Sequence, residues 1–108
     1  MTKNLCDRFE VSPVEPELGS IVGIAIQTLS LQPIHGLRHN VTGTTNGWYF
    51  WCGDWSDAED FFQPLHLEHL ADRLPQVQKF LTLPPGFRFL VDDNGYEDIW
   101  FDESLLNT

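Results

Sequence analysis

Between Asn46 and Trp55 the chain reads Asn-Gly-Trp-Tyr-Phe-Trp-Cys-Gly-Asp-Trp, and five of the eight residues from Trp48 onward are aromatic. Large rings bounded by Asn-Gly and Gly-Asp predict a buried strand between turns. Side chains alternate across a strand, so Trp48, Phe50 and Cys52 share one face while Tyr49 and Trp51 share the other. Both faces therefore need cover. A large aromatic buries ~150–250 Å², so in a chain of 108 residues this one segment dominates the core of a single domain.

The flanking segments fill in the layers. Ser12-Pro13-Val14-Glu15 has the form of a capping box with proline at the first helical position, which predicts a helix with Leu18, Ile21, Val22, Ala25 and Leu29 on its apolar face. The β-branched content makes a strand the alternative, and Pro33 ends either one. Residues 35–42 and 47–53 predict a hairpin. Residues 55–60 read as a loop or a single helical turn, after which Phe61 and Phe62 return to the core. Pro64 can open a helix with Leu67, Leu70, Ala71 and Leu74 on one face. Pro75 interrupts it, and Val77, Phe80, Leu81 and Leu83 supply a second short helix. Asn94-Gly95 predicts a two-residue turn between strands 87–93 and 96–102. That register sets Leu90 opposite Ile99 and Phe89 opposite Trp100, placing Trp100 on the helix-facing side, where its loss would cost ~3–5 kcal/mol. The expected fold is α+β: an antiparallel sheet of about four strands, in two β-hairpins, packed against two to three helices. Residues 1–14 read as a loosely ordered lead-in, although Phe9 and Val11 have the character to pack locally, and 15–106 as the single domain.

Charge narrows the partners. Sixteen acidic residues against six basic ones give a formal net charge of −10, which repels phosphate backbones and favours basic partners, so nucleic-acid binding is not expected. Cys6 and Cys52 have no metal or disulfide-framework spacing. The opening Met-Thr-Lys-Asn-Leu-Cys-Asp-Arg lacks the apolar core of a secretory signal, and the charge-free stretch from Leu18 to Leu37 is interrupted by polar residues and Pro33. The expectation is a cytoplasmic protein with no membrane span.

Five motifs in order resemble a known family: Gly36-Leu37-Arg38-His39-Asn40, Asn46 to Gly53, Pro64 to Leu70, Leu83 to Leu90, and Tyr96 to Asp102. Together, over roughly residues 15 to 106, they resemble the bacterial immunity protein 33-like domain family. The resemblance implies a small cytoplasmic α+β protein that protects a bacterium by binding and neutralising a cognate polymorphic toxin. It brings no catalytic set, and no cofactor is expected.

Three groups of residues are candidates for function. The first is an acidic rim, Asp54, Asp57, Glu59 and Asp60 with Asp92, Asp93, Glu97, Asp98 and Asp102, in which Trp55 is the tryptophan expected to be exposed. Acids in this number steer a basic partner, and an exposed ring among them can anchor it. The plainer reading is a solvated acidic surface. The second is His66 and His69, three apart on a predicted helix, a weak metal pair that lacks a third ligand. The third is a carboxylate pair for hydrolysis, Asp54 with Asp98 or Glu97 with Asp102, or Cys52 as a nucleophile beside a histidine. The reading favoured is a non-enzymatic module whose partner is a basic toxin domain. The alternative is a small hydrolase or a metal-dependent enzyme using carboxylates and histidines.

Overall fold

The computed structural model describes residues 5–107. Its elements are α1 (Leu5–Arg8), β1 (Ile21–Ile24), β2 (Ile34–Arg38), β3 (Thr45–Cys52), β4 (Gln63–His66), α2 (Leu67–Arg73), β5 (Phe87–Val91) and β6 (Glu97–Phe101), with 3₁₀ turns at Ile26–Thr28, Pro75–Phe80 and Glu103–Asn107. The strands form one six-stranded sheet in the order β4-β1-β3-β2-β5-β6. The α+β class stands, but the sheet has six strands and is mixed, because β1 runs parallel to β3.

The aromatic strand lies inside this sheet with both faces covered. Trp48, Phe50 and Cys52 are buried on the first face, with the apolar residues of α1, α2 and the Pro75–Phe80 turn among their neighbours. Trp51 is buried on the second face with Ala25, Leu37 and Leu105, and Tyr49, Phe61 and Phe62 pack against them. Trp48 stacks on Phe50 at 5.4 Å, and its Nε1 donates to the Leu81 carbonyl at 3.1 Å. The two hairpins join edge to edge through antiparallel pairing of β2 with β5, for example Gly36 with Phe89.

Four local expectations give way to tertiary structure. The helix predicted from Pro13 is absent: Val14 donates its N–H to the Thr82 carbonyl at 2.8 Å, and Ile21–Ile24 form a strand between β3 and β4. Val22 and Ile24 then alternate into the core, as the β-branched content allowed, and Tyr49 lies over Gly23 so closely that a Cβ there would collide with its ring. The helix expected from Pro64 starts at Leu67, since Pro64 and Leu65 belong to β4, and the second short helix is a 3₁₀ turn headed by Pro75.

The fourth is the register of the last hairpin. Its loop is the three residues Asp93, Asn94 and Gly95, with Gly95 at φ +93°, and the Asp92 carboxylate accepts N–H groups from Asn94 and Tyr96 at 2.9 and 3.0 Å. This carboxylate adds one residue to the turn, giving a bulged loop. Phe89 consequently faces Ile99 and Arg88 faces Trp100. A one-residue slip reverses the faces of a strand. Trp100 therefore leaves the core and lies 37% exposed beneath the Arg88 guanidinium, so the penalty expected for burying it does not apply.

Residues 5–14 are tied to the core face. Cys6 is fully buried with its thiol on the Thr82 carbonyl at 3.3 Å, Phe9 meets Phe87 edge-on at 5.6 Å, and Arg38 Nη1 reaches the Val14 carbonyl at 2.6 Å.

Candidate functional site

Strand direction decides which loops meet. Pairing Ile34 with Cys52 and with Val91, and Val91 with Glu97, places the end of β3, the start of β2, the end of β5 and the start of β6 at one end of the sheet. The loop carrying Asp54, Asp57, Glu59 and Asp60 and the turn carrying Asp92 and Asp93 leave the sheet at that end. The end of β3 and the turn between β5 and β6 are separated by β2 and β5, about 10–15 Å at ~4.8 Å per strand, and from β3 the first loop runs on past β1 to β4, away from that turn. Sequence alone did not show this meeting, because it follows from the β2–β5 pairing.

The first acidic loop is built on aromatic rings. Phe61 and Phe62 fold back against each other at 5.0 Å, and Trp55 packs edge-on over Trp51 at 5.2 Å and over Phe61 at 5.5 Å. Trp55 stays 58% exposed, with Asp54, Asp57, Glu59 and Asp60 exposed in the same loop. Ser56 Oγ accepts the Ala58 N–H at 3.2 Å and Gln63 donates to the Asp60 carbonyl at 2.6 Å, which fix the loop's path. The hollow beneath it holds only about 170 Å³, short of the ~300 Å³ at which small-molecule pockets begin.

The second acidic group is partly committed to structure. Asp93 is exposed, but Asp92 shapes its own turn, and Glu97 pairs with Lys79 and, at 3.6 Å, with Arg8. Asp102 accepts from Ser104 at 2.6 Å and from Arg88 at 3.0 Å, and these bonds hold its carboxyl below the usual carboxylate range, Ser104 contributing most.

The enzymatic candidates do not converge: Asp54 follows β3 and Asp98 lies in β6, three strands away, about 14 Å at ~4.8 Å per strand. Glu97 and Asp102 stand at opposite ends of β6, about 17 Å apart at ~3.4 Å per residue. Cys52 is fully buried, and burial pushes its thiol up. His66 and His69 have ring centroids 6.3 Å apart, both exposed, and among the described residues no three His, Cys, Asp or Glu side chains gather as metal ligands. A hollow of about 350 Å³ at the far end of the sheet is lined by residues that include Glu15, Glu17 and Arg38 but no histidine.

His35, on β2, is a further titrating group. It lies flat on Trp51, with ring centroids 4.6 Å apart. Burial lowers its pKa below 6.5, a backbone hydrogen bond with Gly53 opposes this, and the Arg88 charge adds to the lowering. An imidazole that resists protonation when folded stabilises least in acid: as pH falls through its unfolded value near 6.5, the unfolded chain takes up the proton first and stability drops. Urea unfolding at pH 8 and pH 5 should show a smaller acid loss in His35→Gln than in the wild type. Equal losses would mean that His35 does not carry this effect.

A single six-stranded sheet with helices on one face and an acidic, aromatic loop at one end defines a small α+β domain. The Imm33-like domain family model matches residues 1–102, and the chain belongs to that family. The match takes in residues 1–14, which the sequence resemblance left out. No match was found among curated proteins or among solved structures. Membership in an immunity-protein family implies a protein partner, and among the described residues no helix is long and apolar enough to cross a membrane.

Proposed function

We propose that this chain is a non-enzymatic immunity protein that binds a basic toxin domain and occludes it through the acidic end of the sheet, with Trp55 as the central contact. The observation that carries this reading is Trp55 itself, a large ring 58% exposed and held in place by Trp51, Phe61 and Phe62. A rigid exposed tryptophan is what binding hot spots are made of. The acids around it in sequence, Asp54, Asp57, Glu59 and Asp60, supply the field that draws a cationic partner in, and Asp92, Asp93 and Glu97 extend that field along the same end.

The test uses a basic toxin-like polypeptide that the tagged chain retains from lysate of its native cells and releases at high salt. Co-expression should restore growth to cells carrying that toxin, and the purified pair should associate more slowly as salt rises. Asp57→Lys with Asp60→Lys should cut the association rate about tenfold at low salt and leave dissociation nearly unchanged. Association at the wild-type rate would remove the acidic rim from the interface. Failure of the wild-type protein to protect or bind would remove the toxin reading itself.

A further inference from the structure

The sheet ends on one side at β6, and this edge differs from the other. β4, at the opposite edge, has four residues and includes Pro64, which cannot donate to an added strand. β6 is a five-residue strand without proline. Its hydrogen-bond parity is fixed by two bonds, Asp92 N–H to the Tyr96 carbonyl at 3.1 Å and Asp102 N–H to the Gly86 carbonyl at 2.7 Å. Antiparallel pairs alternate between bonded and non-bonded. Asp98 and Trp100 therefore turn their backbone groups toward β5, while Glu97, Ile99 and Phe101 turn theirs outward. Exposed apolar surface gathers at the same edge: Tyr96, Trp100 and Phe101 are 53%, 37% and 52% exposed. Trp100 stands on the second face and Phe101 on the first, so the edge is flanked by rings above and below. Charged residues are a usual guard on such an edge, and here Glu97 is already paired with Lys79 and Arg8 while Asp98, exposed on the second face, presents a negative charge.

We propose that β6 receives an extended basic segment of the toxin as a seventh strand, an inference that rests on the toxin-binding reading above and extends its contact along the sheet edge. Main-chain bonds to Glu97, Ile99 and Phe101 would supply the pairing, apolar side chains of the segment would lie against Trp100 and Phe101, and Lys or Arg would lie against Asp98. A second copy of this chain fits less well. Two-fold pairing about Ile99 would set Asp98 beside the copy's Trp100 and Glu97 beside its Phe101, and would bring together two chains of net charge −10.

Amide exchange of the ¹⁵N-labelled chain, free and bound to the toxin domain identified by that test, reads the proposal residue by residue. The amides of Glu97, Ile99 and Phe101 should slow about tenfold or more on binding, while those of Asp98 and Trp100, already bonded to β5, change little. Phe101→Pro deletes an outward N–H without removing a β5 bond, and should bind about tenfold more weakly than Phe101→Ala, which keeps that N–H. A complex that leaves the three outward amides unchanged, or that forms equally with the proline and alanine variants, overturns the edge proposal and leaves toxin binding standing. Protection that grows with the concentration of the chain alone identifies a second copy and also overturns it. If the wild-type protein forms no complex, the edge proposal falls together with the toxin reading.

Discussion

Trp48→Ala should lower the stability of the domain by about 3–5 kcal/mol, the range for emptying a large aromatic from a packed core. Trp48 is fully buried, stacks on Phe50 and lies 6.0 Å from Phe89, so truncation leaves a cavity bounded by rings that belong to separate strands. It also leaves the Leu81 carbonyl without its indole donor. Domains of this size are held by about 5–15 kcal/mol in total, so the variant should melt about 15 °C or more below the wild type. Thermal unfolding followed by near-ultraviolet circular dichroism measures this. A shift of only a few degrees would mean that β3 is not the centre of the core.

Arg38→Ala should cost a similar amount, about 3–5 kcal/mol, for a different reason. The guanidinium is fully buried, and among the described residues no carboxylate is within ion-pair distance of it. Its partners are carbonyls: Asn46 at 3.0 Å from Nε, and Val14, Leu83 and Leu81 at 2.6, 2.8 and 3.3 Å from Nη1. Burial brings its pKa down to about 10, still far above neutrality, so the charge persists. Its loss leaves the Leu83 carbonyl, bonded to Arg38 in the buried interior, short of that donor, at ~1–3 kcal/mol for an unsatisfied group, and removes the tie to Val14. Arg38→Lys should recover only part of the loss, because one ammonium on a flexible stem cannot span carbonyls from three segments. Equal urea midpoints for wild type and Arg38→Ala would show that the desolvation of this cation offsets all its bonds.

The sequence was legible where a pattern is local and strong. Trp48 to Cys52 alternate as strand residues must, and the hairpin of β2 with β3 follows from the turn residues between them. It was least legible where a long-range contact overrules a local signal. The capping-box letters Ser12 to Glu15 describe a helix start, yet no described element realises one, because Val14 is bonded to Thr82 and to Arg38 instead. Asn94-Gly95 marked the right turn, but the Asp92 carboxylate lengthened it by one residue, and Trp100 changed faces as a result. Trp55 could be read as exposed because it stands in an acidic loop. That Asp54 and Asp93 leave the sheet at one end could not, because it depends on β2 pairing with β5 across more than fifty residues.

The slot that β1 occupies between β3 and β4 bears on the order in which the chain can assemble. β2 with β3 and β5 with β6 close over short turns, whereas β1 must find Thr45 on one side and His66 on the other, and long loops make such pairings the slow ones. Until β1 arrives, one backbone edge of the most aromatic strand in the protein stands open to other chains. The excess of negative charge then has a use that precedes any partner: it keeps half-assembled copies apart while that edge is bare.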